Sequence, residues 1–300
     1  MTTHGIVLLD KPLGMSSNSA TQRVRRLLSA KSAGHIGSLD PLASGMLPIC
    51  INEATKVISE ILPGRKHYRF TVTLGARTAT GDAEGEVAER LPVPPLVAAD
   101  VGAALAKFVG VQLQVPPMYS ALKRAGEPLY KLARRGETVE RAAREIVIHE
   151  ATLLALTSQT IECDLLCGKG TYVRVFAEDL ARMLGTCGFV SALRRISVAP
   201  FELCVMQTLD SLESGATLNL LAPDAALPQL VAVQLDAEAT RRLRLGQDVA
   251  WSQRLASHEV AGASLVAGDS LRIYDADRVF LGLGRASAAG RVQPRRLLIL

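Results

Sequence analysis

The chain reads as an α+β protein with a small all-β module at its C-terminal end. Three patterns predict this. Tyr68, Phe70, Val72 and Leu74 alternate with Arg69, Thr71 and Thr73, the period of a half-buried strand. Val173, Phe176, Leu180 and Met183 recur at helical spacing. Residues 271–274, 279–283 and 297–300 are short β-like runs separated by Asp-rich and Gly-rich turns.

In chain order, residues 5–9 form an apolar strand ending at Asp10-Lys11-Pro12. A turn at residues 14–18 leads into a helix with Ala20, Val24 and Leu27 on one face. Arg23, Arg25 and Arg26 point elsewhere, a cationic face that suits either solvent or phosphate. After the Tyr68 strand, residues 78–85 (TATGDAEG) read as a polar turn and residues 98–109 as a helix. Residues 114–120 (QVPPMYS) hold too much proline for either regular element. Residues 146–157 and 161–167 read as paired strands. GKGTYVR then leads into the Val173 helix, which Gly185 caps. Residues 203–209 are a further strand or strand edge. Pro223 and Pro228 mark a junction, so residues 1–225 and 226–300 are expected to be separate domains.

Composition narrows the class. The chain is 48% hydrophobic, enough for a sizeable core. Lys plus Arg is 34 against 29 Asp plus Glu, a net of +5. Arginine dominates the cations; it forks onto phosphate and stacks on bases, though a GC-rich genome gives the same bias. Aromatics are only 4%, so a Tyr outside a core pattern is informative. The 5 cysteines are an odd number with no C-x-x-C pair, which argues against zinc and fits reduced thiols in the cytoplasm. The N-terminal residues lack the layout of a signal peptide, and no window approaches the roughly 20 apolar residues of a membrane span. No metal-ligand cluster or Gly-rich phosphate loop is evident.

Residues 31–56 (KSAGHIGSLDPLASGMLPICINEATK) carry the chemistry. Asp40 stands beside Pro41, with His35 upstream and Gly34, Gly37 and Gly45 around them. Glycine admits conformations and close approaches closed to other residues. Asp-Pro is also a common helix start, in which Asp40 would only cap a turn. From spacing alone, both readings stand.

Four ordered blocks resemble the family of tRNA pseudouridine-55 synthases: GIVLLDKPLGMSSN from Gly5, AGHIGSLDPLASGMLP from Ala33, EATK at Glu53 with the Tyr68 strand, and KGTYVR from Lys169. VPPMYSALKRAGEPLYKLARRG and LRRI at Leu193 resemble it too, so the likeness runs over most of residues 5–200. The resemblance implies the pseudouridine synthase fold, a mixed and mostly antiparallel sheet flanked by helices, with a small PUA-like β-barrel at the C-terminus. It implies an isomerase that flips a T-arm uridine out of tRNA. The family's catalytic aspartate falls on Asp40. The tyrosine that stacks on the base falls on Tyr68, and the salt-bridging arginine on Arg174 with Tyr172 beside it. An RNA-contacting histidine falls on His35, and a residue lining the uracil pocket on Leu193. Ser38 stands where many members carry Thr or Ala, so a small residue is kept.

Asp40 must be ionised to act as nucleophile or base, and Arg174 is expected to hold it so against burial. Attack at C1′, addition at C6 and proton removal from C2′ all remain open. The chemistry needs no redox change, so no cofactor and no metal are expected. The chain lacks the long basic tails expected of RNA-guided relatives. A stand-alone monomer on tRNA is therefore expected, with no obligate protein partner and no membrane. Arg285, Arg291, Arg295 and Arg296 are expected to meet tRNA phosphates or solvent.

Overall fold

Alternating apolar residues build one large sheet that carries everything around Asp40. The computed structural model describes residues 3–61, 64–255, 265–288 and 290–299. The first part of the chain holds β1 (Gly5–Lys11), α1 (Ser17–Leu27), β2 (Ala33–His35), β3 (Ala43–Ile51), a 3-10 helix (Asn52–Glu60) and β4 (Lys66–Leu74). Next come β5 (Ala76–Thr78), β6 (Val87–Arg90), α2 (Ala98–Ala106), β7 (Gly110–Gln114), β8 (Lys123–Arg124), β9 (Glu127–Pro128) and α3 (Leu129–Arg134). β10 (Arg144–Leu156), β11 (Thr160–Cys167), α4 (Val173–Met183), β12 (Gly188–Val198), α5 (Leu209–Glu213) and β13 (Leu220–Leu221) follow.

The sheet runs β13-β1-β3-β12-β4-β11-β10-β7, with β2 added on β3. Its pairings are antiparallel except between β12 and β3, where Leu193 lies opposite Ala43 and Arg195 opposite Gly45. That parallel pair sets LRRI beside the strand that leaves the Asp40 loop. Gly45 is required there. At φ +98° it faces the Arg195 carbonyl, which a Cβ would approach to 2.1 Å.

Both faces of the sheet are covered. Val7, Leu9, Phe70 and Val72 pack with Ala20, Val24, Phe176 and Leu180 from the helices. On the other face Ile6, Leu8, Met46 and Cys50 pack with Tyr274, Phe280 and Leu283. β1 is therefore buried on both sides, which explains its continuous apolar run.

The C-terminal part holds β14 (Val231–Gln234), α6 (Ala237–Arg244), β15 (Val249–Ala250), β16 (Gln253–Leu255), β17 (Ser270–Tyr274), β18 (Phe280–Ala288) and β19 (Arg291–Leu297). These strands form a six-stranded half-barrel in the order β15-β19-β18-β17-β14-β16. It is tied to the 3-10 helix by a Glu60–Arg295 ion pair and by the Ile299 N–H on Glu53 at 2.8 Å.

Several local expectations change. Leu27 and Met183 keep helical spacing but are 36% and 45% exposed, because they lie in the last turns, beyond the sheet. The helix expected over 98–109 ends at Ala106. Residues 203–209 make no strand. Only Gln207 bridges to Leu9, while Leu203 and Val205 are exposed and Leu209 begins α5. The last strand is Arg291–Leu297 rather than a run starting at Leu297, and Leu300 lies outside the described residues. The TATGDAEG segment turns as expected, but Thr78 and Asp82 are buried.

Candidate active site

Asp40 caps no helix. It sits in an irregular loop, where its backbone carbonyl accepts from Ala43 N–H at 3.0 Å. Its side chain turns to α4, and Oδ2 lies 2.9 Å from Arg174 Nε. A cation in the first turn of a helix opposes the helix dipole. Here carboxylates and carbonyls surround the guanidinium. Nη1 donates to the Thr80 carbonyl at 2.8 Å, Nη2 donates to the Tyr119 carbonyl at 2.8 Å, and Asp82 Oδ2 stands 3.7 Å from Nε. Three loops thus converge on one buried arginine.

The loop's approach to Asp40 is equally fixed. Ser17, buried at the start of α1, donates its hydroxyl proton to the Leu39 carbonyl at 2.8 Å and accepts from Leu39 N–H at 2.7 Å. Lys11 is wholly buried, and its ammonium donates to the carbonyls of Met15 at 2.6 Å and Pro12 at 2.8 Å, with that of Pro41 at 3.5 Å. Burial pushes Lys11 down to about 8, against the pull of Asp40. At the other wall, Gln114 clamps Tyr172, the residue before α4.

Asp40, Tyr68, Tyr172, Arg174 and Leu193 line one cavity of about 340 Å³, together with Ser120, Ala121 and Leu122. Five of the six expected residues therefore meet there. Tyr68 is buried, and burial raises its pKa against the opposing pull of Arg195. His35 lies beside the loop instead. Its Nδ1 is 3.0 Å from Thr21 Oγ1 and its Nε2 3.0 Å from Ser38 Oγ. The Thr21 hydroxyl donates to the Ser17 carbonyl, so Nδ1 carries the proton and Nε2 accepts from Ser38. Burial and Arg195 both lower the His35 pKa, in keeping with this neutral ring.

Burial and Arg174 act on Asp40 in opposite directions, as expected. Arg174 does pair with Asp40, yet the Asp40 pKa stands above the ordinary carboxylate value. Burial is the largest cause; Arg174 opposes it and Asp82 adds to it. Asp82, Lys11, Gln114 and Ser17 were not singled out from the sequence. Lys11 and Ser17 lie in the GIVLLDKPLGMSSN block, Asp82 in TATGDAEG and Gln114 in QVPPMYS, but none was given a role there.

Sequence comparison decides the family. The chain is 45% identical over 298 residues to tRNA pseudouridine synthase B of Chromohalobacter salexigens, covering 98% of this chain and 94% of that protein. The chain belongs to the TruB family. The same-named proteins of Burkholderia mallei (strain NCTC 10247) and Xanthomonas campestris pv. campestris (strain B100) are 46% and 44% identical over 299 and 300 residues. These alignments cover 98% of this chain and 97% and 94% of those proteins. The family model "TruB family pseudouridylate synthase (N terminal domain)" matches residues 25–173 of this TruB-family chain. "tRNA pseudouridylate synthase B C-terminal domain" matches 174–231, and "Pseudouridine synthase II TruB, C-terminal" matches 232–298. Its fold is that of a chain in an H/ACA RNP bound to a substrate RNA containing 2′-deoxyuridine. The TM-score is 0.71 at 19% identity, over 99% of this chain and 85% of that one. A chain of an archaeal box H/ACA sRNP Nop10-Cbf5 complex aligns with a TM-score of 0.70 at 20% identity, over 99% and 86%.

Proposed function

We propose that this TruB-family protein isomerises uridine 55 in the T-loop of tRNA to pseudouridine, with Asp40 as the catalytic carboxylate. The observation that carries this reading is the Asp40–Arg174 pair at 2.9 Å, on the wall of a cavity that Tyr68 also lines. A uridine in a folded loop offers neither C1′ nor C6 to a side chain, so it must be extruded, at a cost of a few kcal/mol. Stacking on Tyr68 offsets this by roughly 1–3 kcal/mol. The uracil then leaves C1′, turns within the cavity and rejoins through C5. The C5 proton is lost once the new C–C bond has formed, and N1, freed from C1′, takes up a proton, so that product and substrate are isomers. Attack on C1′, addition to C6 and proton removal from C2′ each require the carboxylate form of Asp40, which Arg174 favours. Leu193 and Tyr172 bound the space in which the base turns. The reaction exchanges one glycosidic bond for another without redox change and needs no cofactor.

The protein acts as a cytoplasmic monomer on bare tRNA, its catalytic part being residues 1–225 and its RNA-binding module residues 226–300. Among the described residues, no helix is long and apolar enough to cross a membrane.

The test uses an unmodified tRNA transcript tritiated at C5 of uridine. Purified protein alone is expected to release tritium, and Asp40→Asn to bind the transcript without releasing any. Release by Asp40→Asn would show that another residue carries the chemistry. Replacing uridine 55 with cytidine should abolish release; if it does not, the position is wrong.

A further inference from the structure

Arg195 is wholly buried, yet no carboxylate neutralises it among the described residues. Its Nε donates to the Met46 carbonyl at 2.6 Å and its Nη2 to the Gly37 carbonyl at 2.9 Å. Nη1 is buried and makes no hydrogen bond of good geometry, although the Tyr68 hydroxyl lies close enough to couple to the guanidinium. Such an orphan is costly and calls for a ligand that accepts hydrogen bonds.

Lys66 lies beside it. The Lys66 ammonium also has no Asp or Glu partner among the described residues. A Cβ placed on Gly37 would meet Arg195 Nη1 at 3.4 Å and Lys66 Cε at 3.8 Å, so the two cations flank one small space under the Gly37 turn. Burial is the main cause lowering the pKa of Lys66 and of His35, and the positive potential of Arg195 adds to it in both. Lys66 and Arg195 thus border the exposed Gly37–Ser38 loop.

We propose that Lys66 and Arg195 form an anion site beneath Gly37 that takes the phosphodiester flanking the extruded nucleotide. The inference rests on the base-flipping reading above. Strand geometry supports a phosphodiester. Lys66 and Tyr68 lie two residues apart on the same face of β4, about 7 Å along the strand. A base stacked on Tyr68 therefore brings its own sugar-phosphate near Lys66. Lysine contributes the mobile point charge and Arg195 the fixed N–H donor.

Binding of a T-arm stem-loop to Asp40→Asn and to Asp40→Asn/Lys66→Gln, across a salt series, tests the site without turnover. Lys66→Gln should weaken binding about tenfold or more. It should also flatten log K against log[salt] by about 0.7, the value per phosphate on a single strand. A neutral methylphosphonate at the linkages flanking the target nucleotide should cost the protein that retains Lys66 a similar factor at one linkage. It should cost the Lys66→Gln variant nothing further there. An unchanged salt slope, or losses that simply add, would overturn the site. So would a free-anion site, in which inorganic phosphate raises the melting temperature only where Lys66 is retained while neither protein responds to the methylphosphonates. Melting curves verify that both variants fold. Tritium release by the wild-type protein on the same stem-loop is measured separately. If it fails, the uridine-55 reading is lost; if it succeeds while the slope is unchanged, only the anion site is lost.

Discussion

Gln114 grips the backbone of Tyr172 at both polar groups, accepting from its N–H at 2.8 Å and donating to its carbonyl at 3.1 Å. Ser17 holds Leu39 in the same two-handed way. Each clamp secures the chain next to one partner of the Asp40–Arg174 pair. Two buried polar side chains outside the cavity thus anchor the backbone leading to each member of the pair.

Loosening either clamp should slow the chemistry more than it weakens RNA binding. Ser17→Ala strands the Leu39 N–H and carbonyl, and Gln114→Ala strands the Tyr172 N–H while its carbonyl keeps the Phe176 N–H, at a cost of about 1–3 kcal/mol in stability. We expect kcat to fall with KM nearly constant, read from single-turnover and steady-state tritium release alongside urea melts. A parallel rise in KM alone would mean that the clamps serve RNA docking instead.

Lysine cannot replace Arg174. The guanidinium reaches Asp40, the Thr80 carbonyl and the Tyr119 carbonyl in three directions from one plane. A lysine ammonium offers one charge centre. Arg174→Lys should lower kcat by about 100-fold or more, the scale of losing one preorganised donor. Near-wild-type kcat in this variant would show that charge alone suffices.

The raised pKa of Asp40 shapes the acid side of the rate profile. Only the carboxylate is active in the proposed reaction, so the rate should fall at a pH above the ordinary carboxylate range as pH drops. Asp82→Asn removes a like charge that pushes Asp40 up, so its acid limb should move to lower pH. Stability carries the opposite sign. Protonated Asp40 contributes fully below its unfolded pKa, and this is lost as pH rises through the higher folded value. Rates of single turnover between about pH 4 and 8 read the limb; an unmoved limb in Asp82→Asn would assign it to another group.

The four C-terminal arginines are not equivalent. Arg291 pairs with Asp248 at 2.7 Å and Arg295 pairs with Glu60, whereas Arg285 and Arg296 are exposed without such partners among the described residues. If this surface meets tRNA phosphates, neutralising Arg285 and Arg296 should reduce the salt slope of binding by up to about 0.9 each on duplex. Arg291→Gln and Arg295→Gln should act chiefly on stability. Equal slopes for all variants would show that the surface faces only solvent.

By itself, the sequence determined what is local or tied to a motif. The Tyr68 strand, the hairpin of β10 and β11 and the α4 helix were legible because side-chain periodicity reports which face is buried. Asp40, Tyr68, Tyr172, Arg174 and Leu193 were legible through family blocks. Periodicity alone would have left Tyr68 an inward strand residue and Asp40 a possible cap. Tertiary structure alone decided how these residues act on one another. Asp82, buried in a segment that reads as a polar turn, reaches Arg174 only because β5 and β6 fold that turn over α4. Ser17 and Gln114 become clamps only through partners 22 and 58 residues away. The direction of the Asp40 pKa depends on burial by loops distant in sequence, and that desolvation outweighs the one arginine the motif foretold. Such effects depend on distances through space, which a linear pattern of residues does not contain.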